Sequence, residues 1–206
     1  MRRFNTTSAK RNDHDNYYQV LGIPETFDVD LSKLKQTYHK LMTEYHPDKY
    51  HSNNRTDESR EDLASAVTRA YDTLKEPHTR AVHLLKVLGR PMDEEGTTET
   101  SSGMDREPSK LVGNAFLFEI MEIREEIDQV SSTKSDDQHD RLKALFDSNQ
   151  ERIQATINEL IAAFDGKPND DSASGRNLDE ALRLAAELQY WNRIDKTIRD
   201  RMHFIG

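Results

Sequence analysis

Tyr45-His46-Pro47-Asp48-Lys49 sets an imidazole, a carboxylate and an ammonium group side by side. Three kinds of chemistry use such groups. A His oriented by an Asp acts as a general base, but that role needs a nucleophile or a substrate pocket, and no nucleophile motif accompanies the pair. His46 with His39 or His51 begins a metal site, yet a third and fourth ligand are missing. The remaining role is recognition. Pro47 forbids a continuing helix and pushes His46 out of the α region, while Asp48 favours a turn. The three side chains then stand on a rigid loop tip with Lys49 beside them. The chain has no Gly-rich phosphate cradle of its own.

The tip needs elements on both sides to present it. Upstream, Leu31, Leu34, Tyr38, Leu41, Met42 and Tyr45 recur at i, i+3, i+7, i+10, i+11 and i+14, one apolar helical face. Downstream, Leu63, Ala66, Val67, Ala70, Tyr71 and Leu74 make a second such face. Two helices of similar length joined by a loop pack antiparallel along these stripes, with residues 50–59 as the polar connection. Ahead of them, Tyr17, Tyr18, Val20 and Leu21 form a short helix ending at Gly22, and Asp28 or Asp30 caps the next one. Pro77 stops the third helix. A short fourth helix, residues 79–88, turns Ala81, Leu84, Leu85 and Leu88 inward.

On the outward face of the second helix lie Lys33, Lys35, His39 and Lys40, and Lys49 continues the positive line past the loop. A solvated charged face is the plain explanation. Beside a rigid polar tip, the strip is a docking surface for an acidic partner, with a salt-sensitive on-rate.

Residues 15–23 (Asp-Asn-Tyr-Tyr-Gln-Val-Leu-Gly-Ile), the Tyr45–Lys49 segment, residues 70–77 (Ala-Tyr-Asp-Thr-Leu-Lys-Glu-Pro) and Arg80-Ala81 together resemble a J-domain, in spacing as well as in kind. The resemblance implies that His46, Pro47 and Asp48 stimulate ATP hydrolysis by a DnaK-type (HscA-like) chaperone. Lys35, His39, Lys40 and Lys49 are implied as its docking strip. His39 stands where the family usually has a cation, and it is only partly charged near neutrality.

Composition bounds the remainder. A 34% hydrophobic and 33% charged chain of 206 residues suits small helical domains with narrow cores, and without an alternating run the fold class is all-α. The formal charge of −9 argues against nucleic acid as a partner. No apolar stretch approaches the roughly 20 residues of a membrane span. Cysteine is absent, which removes disulfides and thiolate chemistry and fits a reducing compartment. No cofactor or metal is expected. Residues 1–11 carry Arg2, Arg3, Lys10 and Arg11 with no acid, in the manner of a presequence remnant or of a basic tail.

Residues 92–108 are acidic and rich in Thr, Ser and Gly, a linker. Three periodic segments follow, near 110–130, 140–164 and 177–202, and predict an up-down-up bundle. In the first, Phe116, Ile120, Ile123, Ile127 and Val130 make one core stripe. Leu117, Phe118 and Met121 fall roughly 100–200° from Phe116 at about 100° per residue, with Leu111 near Phe118. In the third, Ala181, Leu184, Leu188, Trp191 and Ile198 form the core line and Tyr190 lies off it. The surplus residues either widen the core or form a partner site.

Residues 114–127 and Leu188-Gln189-Tyr190-Trp191 resemble the client-binding domain of HscB-type J-proteins of iron–sulfur cluster biogenesis. That resemblance implies that Leu117, Phe118, Met121 and Tyr190 bind an IscU-type scaffold. It also implies an L-shaped, non-enzymatic adaptor, divided into a tail (1–14), a J-domain (15–90), a linker (91–109) and a scaffold-binding bundle (110–206). A J-protein serving another client shares the front half and differs at the patch. The expected compartment is the mitochondrial matrix, with bacterial cytoplasm as the alternative.

Overall fold

The structure, a computed structural model, describes residues 16–45, 58–92, 108–132, 137–165 and 176–205. These are all-helical, and they divide between Glu76 and Pro77 into two compact units.

The first unit holds α1 (Tyr17–Leu21), α2 (Leu31–Tyr45) and α3 (Glu58–Lys75). Asn16 caps α1 by accepting hydrogen bonds from the Tyr18 and Gln19 backbone amides. Gly22 closes the helix at φ 64°, where its amide donates to Gln19 O and that of Ile23 to Tyr18 O. That left-handed position costs a glycine little. Of the two candidate caps for α2, Asp30 takes the role, accepting from Ser32 N at 3.0 Å and Lys33 N at 3.1 Å. Those backbone donors, the Lys33 amide first, hold the Asp30 carboxyl below its ordinary pKa.

Helices α2 and α3 pack antiparallel. Tyr38 stacks on Tyr71 at 4.3 Å, and Thr68 Oγ1 lies 3.7 Å from Met42 Sδ, so position runs backwards along one helix as it runs forwards along the other. Leu34, Ala66, Val67, Ala70 and Leu74 are buried there, with Tyr18, Leu21 and Phe27. Leu31 departs from the expected stripe. As the first residue of α2 it has no preceding turn to cover it, and it stays half exposed.

The second unit holds α4 (Pro77–Val87), α5 (Pro108–Ser132), α6 (Gln138–Asp165) and α7 (Leu178–Ile205). Helices α5, α6 and α7 form the expected up-down-up arrangement. Glu119 meets Arg152 and Val130 O meets Gln138, which makes α5 and α6 antiparallel. Asn149 Nδ2 donates to Trp191 O at 3.1 Å and Asn177 N to Ala163 O at 3.0 Å, which makes α6 and α7 antiparallel. Ile120, Ile123, Ile127 and Val130 of α5 join Leu142 of α6 and Trp191, Ile194 and Ile198 of α7 in one core cluster.

Two features differ from the sequence reading. Pro77 does not only stop α3; it opens α4, as the first-turn position allows because its missing amide has no partner to lose there. And α4, expected with the front domain, packs on α7. Its far end is fixed by an Arg90–Asp179 ion pair, while His78 near its start feels the charge of Arg193, so α4 and α7 run antiparallel. Helix α7 is thus covered by α4, α5 and α6. From Ala181 to Gln189 only Arg183 escapes burial, and even Glu187 and Gln189 are enclosed. The chemistry follows: Leu182, Ala185 and Ala186 make this stretch apolar on more than one side, the mark of a buried helix.

Candidate functional site

Helix α5 carries its site on the face that the core leaves over. Its core residues lie within one narrow stripe, and each residue turned farther from that stripe is more exposed. Phe116 is wedged inward, its ring edge-on to Trp191 at 5.0 Å and to Tyr190 at 5.8 Å. Leu117 is half-buried, whereas Met121 and Phe118 are 62% and 65% exposed. Solvent-facing apolar side chains of this size are few among the described residues; the others are Leu31 and Phe204.

Phe118 and Met121 open a shallow groove of about 720 Å³ that continues along α5 past Glu122, Arg124, Glu125, Asp128 and Gln129. Its charge is mainly negative, and Asp128 is held at 3.1 Å by Arg201 of α7. The groove brings Phe118 and Met121 together. Leu117 stands one turn before Met121 outside it, and Tyr190 sits on α7 against Phe116. The wall behind is braced. Arg152 pairs with Glu119 at 3.0 Å, donates to Ser148 at 2.8 Å, and lies over the Trp191 ring at 5.4 Å.

One positioning residue escaped the sequence reading. Gly113, at φ 77° and ψ 163°, breaks α5 just before the patch. A wheel drawn through it from Leu111 to Phe118 does not hold, and Leu111 is half-buried on the other side of the break. A glycine inside an otherwise periodic helix was the available signal.

In the first unit, Lys35, His39 and Lys40 are exposed on α2, and His39 tilts against Tyr38 at 5.5 Å. Lys33 is tied to the cap Asp30 at 3.3 Å, whereas Lys35 and Lys40 have no ion pair among the described residues. His46, Pro47, Asp48 and Lys49 lie outside the described residues. Among those described, no group of His, Asp and Glu is arranged to hold a metal ion, and no helix is long and apolar enough to cross a membrane.

The DnaJ domain family matches residues 16–83, and the family described as the HSCB C-terminal oligomerisation domain matches residues 113–199. The chain belongs to the HscB type of J-domain co-chaperones. A J-type co-chaperone of this type from Schizosaccharomyces pombe, jac1, mitochondrial, is 33% identical over 175 residues, 84% of this chain and 65% of its own length. The match thus spans just under two thirds of that relative. The co-chaperone protein HscB of Proteus mirabilis is 26% identical over 178 residues, 85% of this chain and 94% of its own. In fold, the chaperone HscB from Vibrio cholerae matches with a TM-score of 0.72 at 22% identity, over 93% of this chain and 99% of that one. The DnaJ match ends at His83, inside α4, the helix that packs on α7 in the second unit.

Proposed function

We propose that this co-chaperone binds an IscU-type iron–sulfur scaffold with its second unit and delivers it to a DnaK-type, HscA-like chaperone with its first. The observation that carries the reading is the pair Phe118 and Met121, exposed on a helix whose core stripe is already filled, in a chain of the HscB type. Burying such a patch needs a partner with an apolar surface, and aromatic and Met side chains are typical anchors. Leu117 and Tyr190 border the patch, and the acidic groove beyond it favours a scaffold face carrying basic residues.

The exposed Lys35, His39 and Lys40 supply the docking strip for the chaperone, together with Lys49, and His46-Pro47-Asp48 stimulates its ATP hydrolysis. The co-chaperone performs no turnover itself. It raises the effective concentration of scaffold at the chaperone and biases the chaperone's nucleotide cycle. The compartment is the mitochondrial matrix, in keeping with the mitochondrial name of the fission yeast relative; bacterial cytoplasm is the alternative.

Single-turnover ATP hydrolysis by a DnaK-type chaperone tests both halves. Stimulation should vanish in His46→Gln and rise synergistically when scaffold is added. Stimulation that ignores the scaffold removes the client assignment, and stimulation unaffected by His46→Gln removes the role of the tripeptide.

A further inference from the structure

Between the patch and α4, helix α7 carries a residue that neither docking role uses. Arg193 stands one turn beyond Tyr190, with its guanidinium carbon 5.8 Å from the centroid of that ring. Tyr190 is half-buried, and its other ring contact is the edge of Phe116. A ring braced by one edge contact gains a second restraint from a cation over its face.

Arg193 also lies within electrostatic reach of His78, near the start of α4. The imidazole is half-buried; its Nε2 is shielded from solvent and has no hydrogen-bond partner among the described residues. Burial first, and the Arg193 charge second, hold this histidine's pKa below the ordinary value. Arg193 on α7 is the charged group acting on it. On α4 itself the buried neighbour two residues on is Arg80, also a cation. At neutral pH His78 is therefore uncharged and does not oppose the Arg193 guanidinium.

We propose that Arg193 is a positioning residue for the scaffold patch, holding the Tyr190 ring in its binding orientation while His78 is neutral and releasing it when His78 is charged. This rests on the scaffold-binding reading of Tyr190. A protonated His78 has a buried N–H without an acceptor and a like charge beside it, and both costs are relieved if Arg193 and the start of α4 move apart. Tyr190 then loses the cation over its face and keeps the edge contact with Phe116 and its packing on the core. The sign is set by linkage: between the ordinary histidine value, about 6.5, and the lower folded one, the unfolded chain binds more protons than the folded. Acidification through that window destabilises the α4–α7 junction, and with it the patch.

The full-length chain tests this in two measurements. The first needs no scaffold. Trp191, the chain's single tryptophan, adjoins Tyr190, so its emission and the Tyr190 ring resonances are followed as pH falls. The wild type should titrate with a midpoint below about 6.5, and the transition should be absent in both His78→Gln and Arg193→Gln. A flat wild-type curve, or one unchanged by His78→Gln, overturns the proposal.

The second measures affinity for IscU-type scaffold by calorimetry at neutral pH. Arg193 is exposed, so its replacement leaves the core intact. Arg193→Gln should weaken binding about two- to fivefold, the worth of an exposed cation–ring contact, and Arg193→Lys should restore it. In a Tyr190→Ala background, Arg193→Gln should cost nothing further. An equal loss in both backgrounds overturns the positioning role. If Tyr190→Ala binds scaffold as the wild type does while the acid transition still follows the variants, the scaffold reading of Tyr190 falls and the Arg193–His78 linkage stands.

Discussion

Leu117, Phe118 and Met121 share two turns of one helix but not one environment. Each successive residue rotates about 100°, so Leu117 lies at the edge of the core stripe while Met121 and Phe118 pass beyond it. This rotation was legible in the sequence, and the graded exposure of the three follows it. The position of Tyr190 was legible only as off-stripe. That its ring rests on Phe116 and beneath Arg193 depends on how α5 meets α7. At this scale, Leu117→Ala/Met121→Ala/Tyr190→Ala should lose several kcal/mol of scaffold affinity, at about 2 kcal/mol for each hot spot. Titration calorimetry measures the loss, and circular dichroism should show the helices retained, because none of the three is fully buried. Affinity near that of the wild type with the fold intact removes the assignment.

At the scale of the element, caps and stripes were readable because both are local. Asp30, one of the two caps the sequence offered for α2, accepts from its first turn; Asn16 and Asn177, which the sequence reading did not name, do the same for α1 and α7. The break at Gly113 was not read, because periodicity treats a helix as continuous. Its φ and ψ fall in a region open essentially to glycine alone. Gly113→Ala therefore strains the backbone although a Cβ there meets nothing within 4 Å. It should destabilise the second unit by about 1–3 kcal/mol, read as a lower urea midpoint at unchanged slope. A neutral outcome means that the break carries no strain for a side chain and that α5 can rejoin across it.

At the scale of the whole molecule, α4 carries the end of the DnaJ match and yet packs within the second unit. Ala81, Leu84 and Leu85 were seen as an inner face, but a face does not name its partner, and the partner is α7. A fragment of residues 110–206 therefore lacks part of the cover of α7, whereas residues 77–206 keep it. The shorter fragment should be less stable by several kcal/mol, since each of the two leucines contributes about 1.5–3 kcal/mol on burial. Urea denaturation of the two fragments checks this, and equal midpoints show that α4 adds nothing to the second unit. The same packing leaves His78 within electrostatic reach of Arg193, whose guanidinium lies over the Tyr190 ring.

The sequence alone determined which segments form helices, which stripe of each is apolar, that α1 ends at Gly22 and that an aspartate caps α2, and that Phe118 and Met121 exceed what the core of α5 can use. All of these follow from spacing along one chain segment at 3.6 residues per turn. Only the tertiary structure decided which stripe meets which: that Tyr38 stacks on Tyr71, that Phe116 wedges between Tyr190 and Trp191, and that α4 covers α7. Burial of apolar surface is non-directional, so an amphipathic face specifies that it must be covered but not by what. The choice among covers is made by complementary shape and by paired charges such as Arg90 with Asp179, which come together only when the whole unit is assembled.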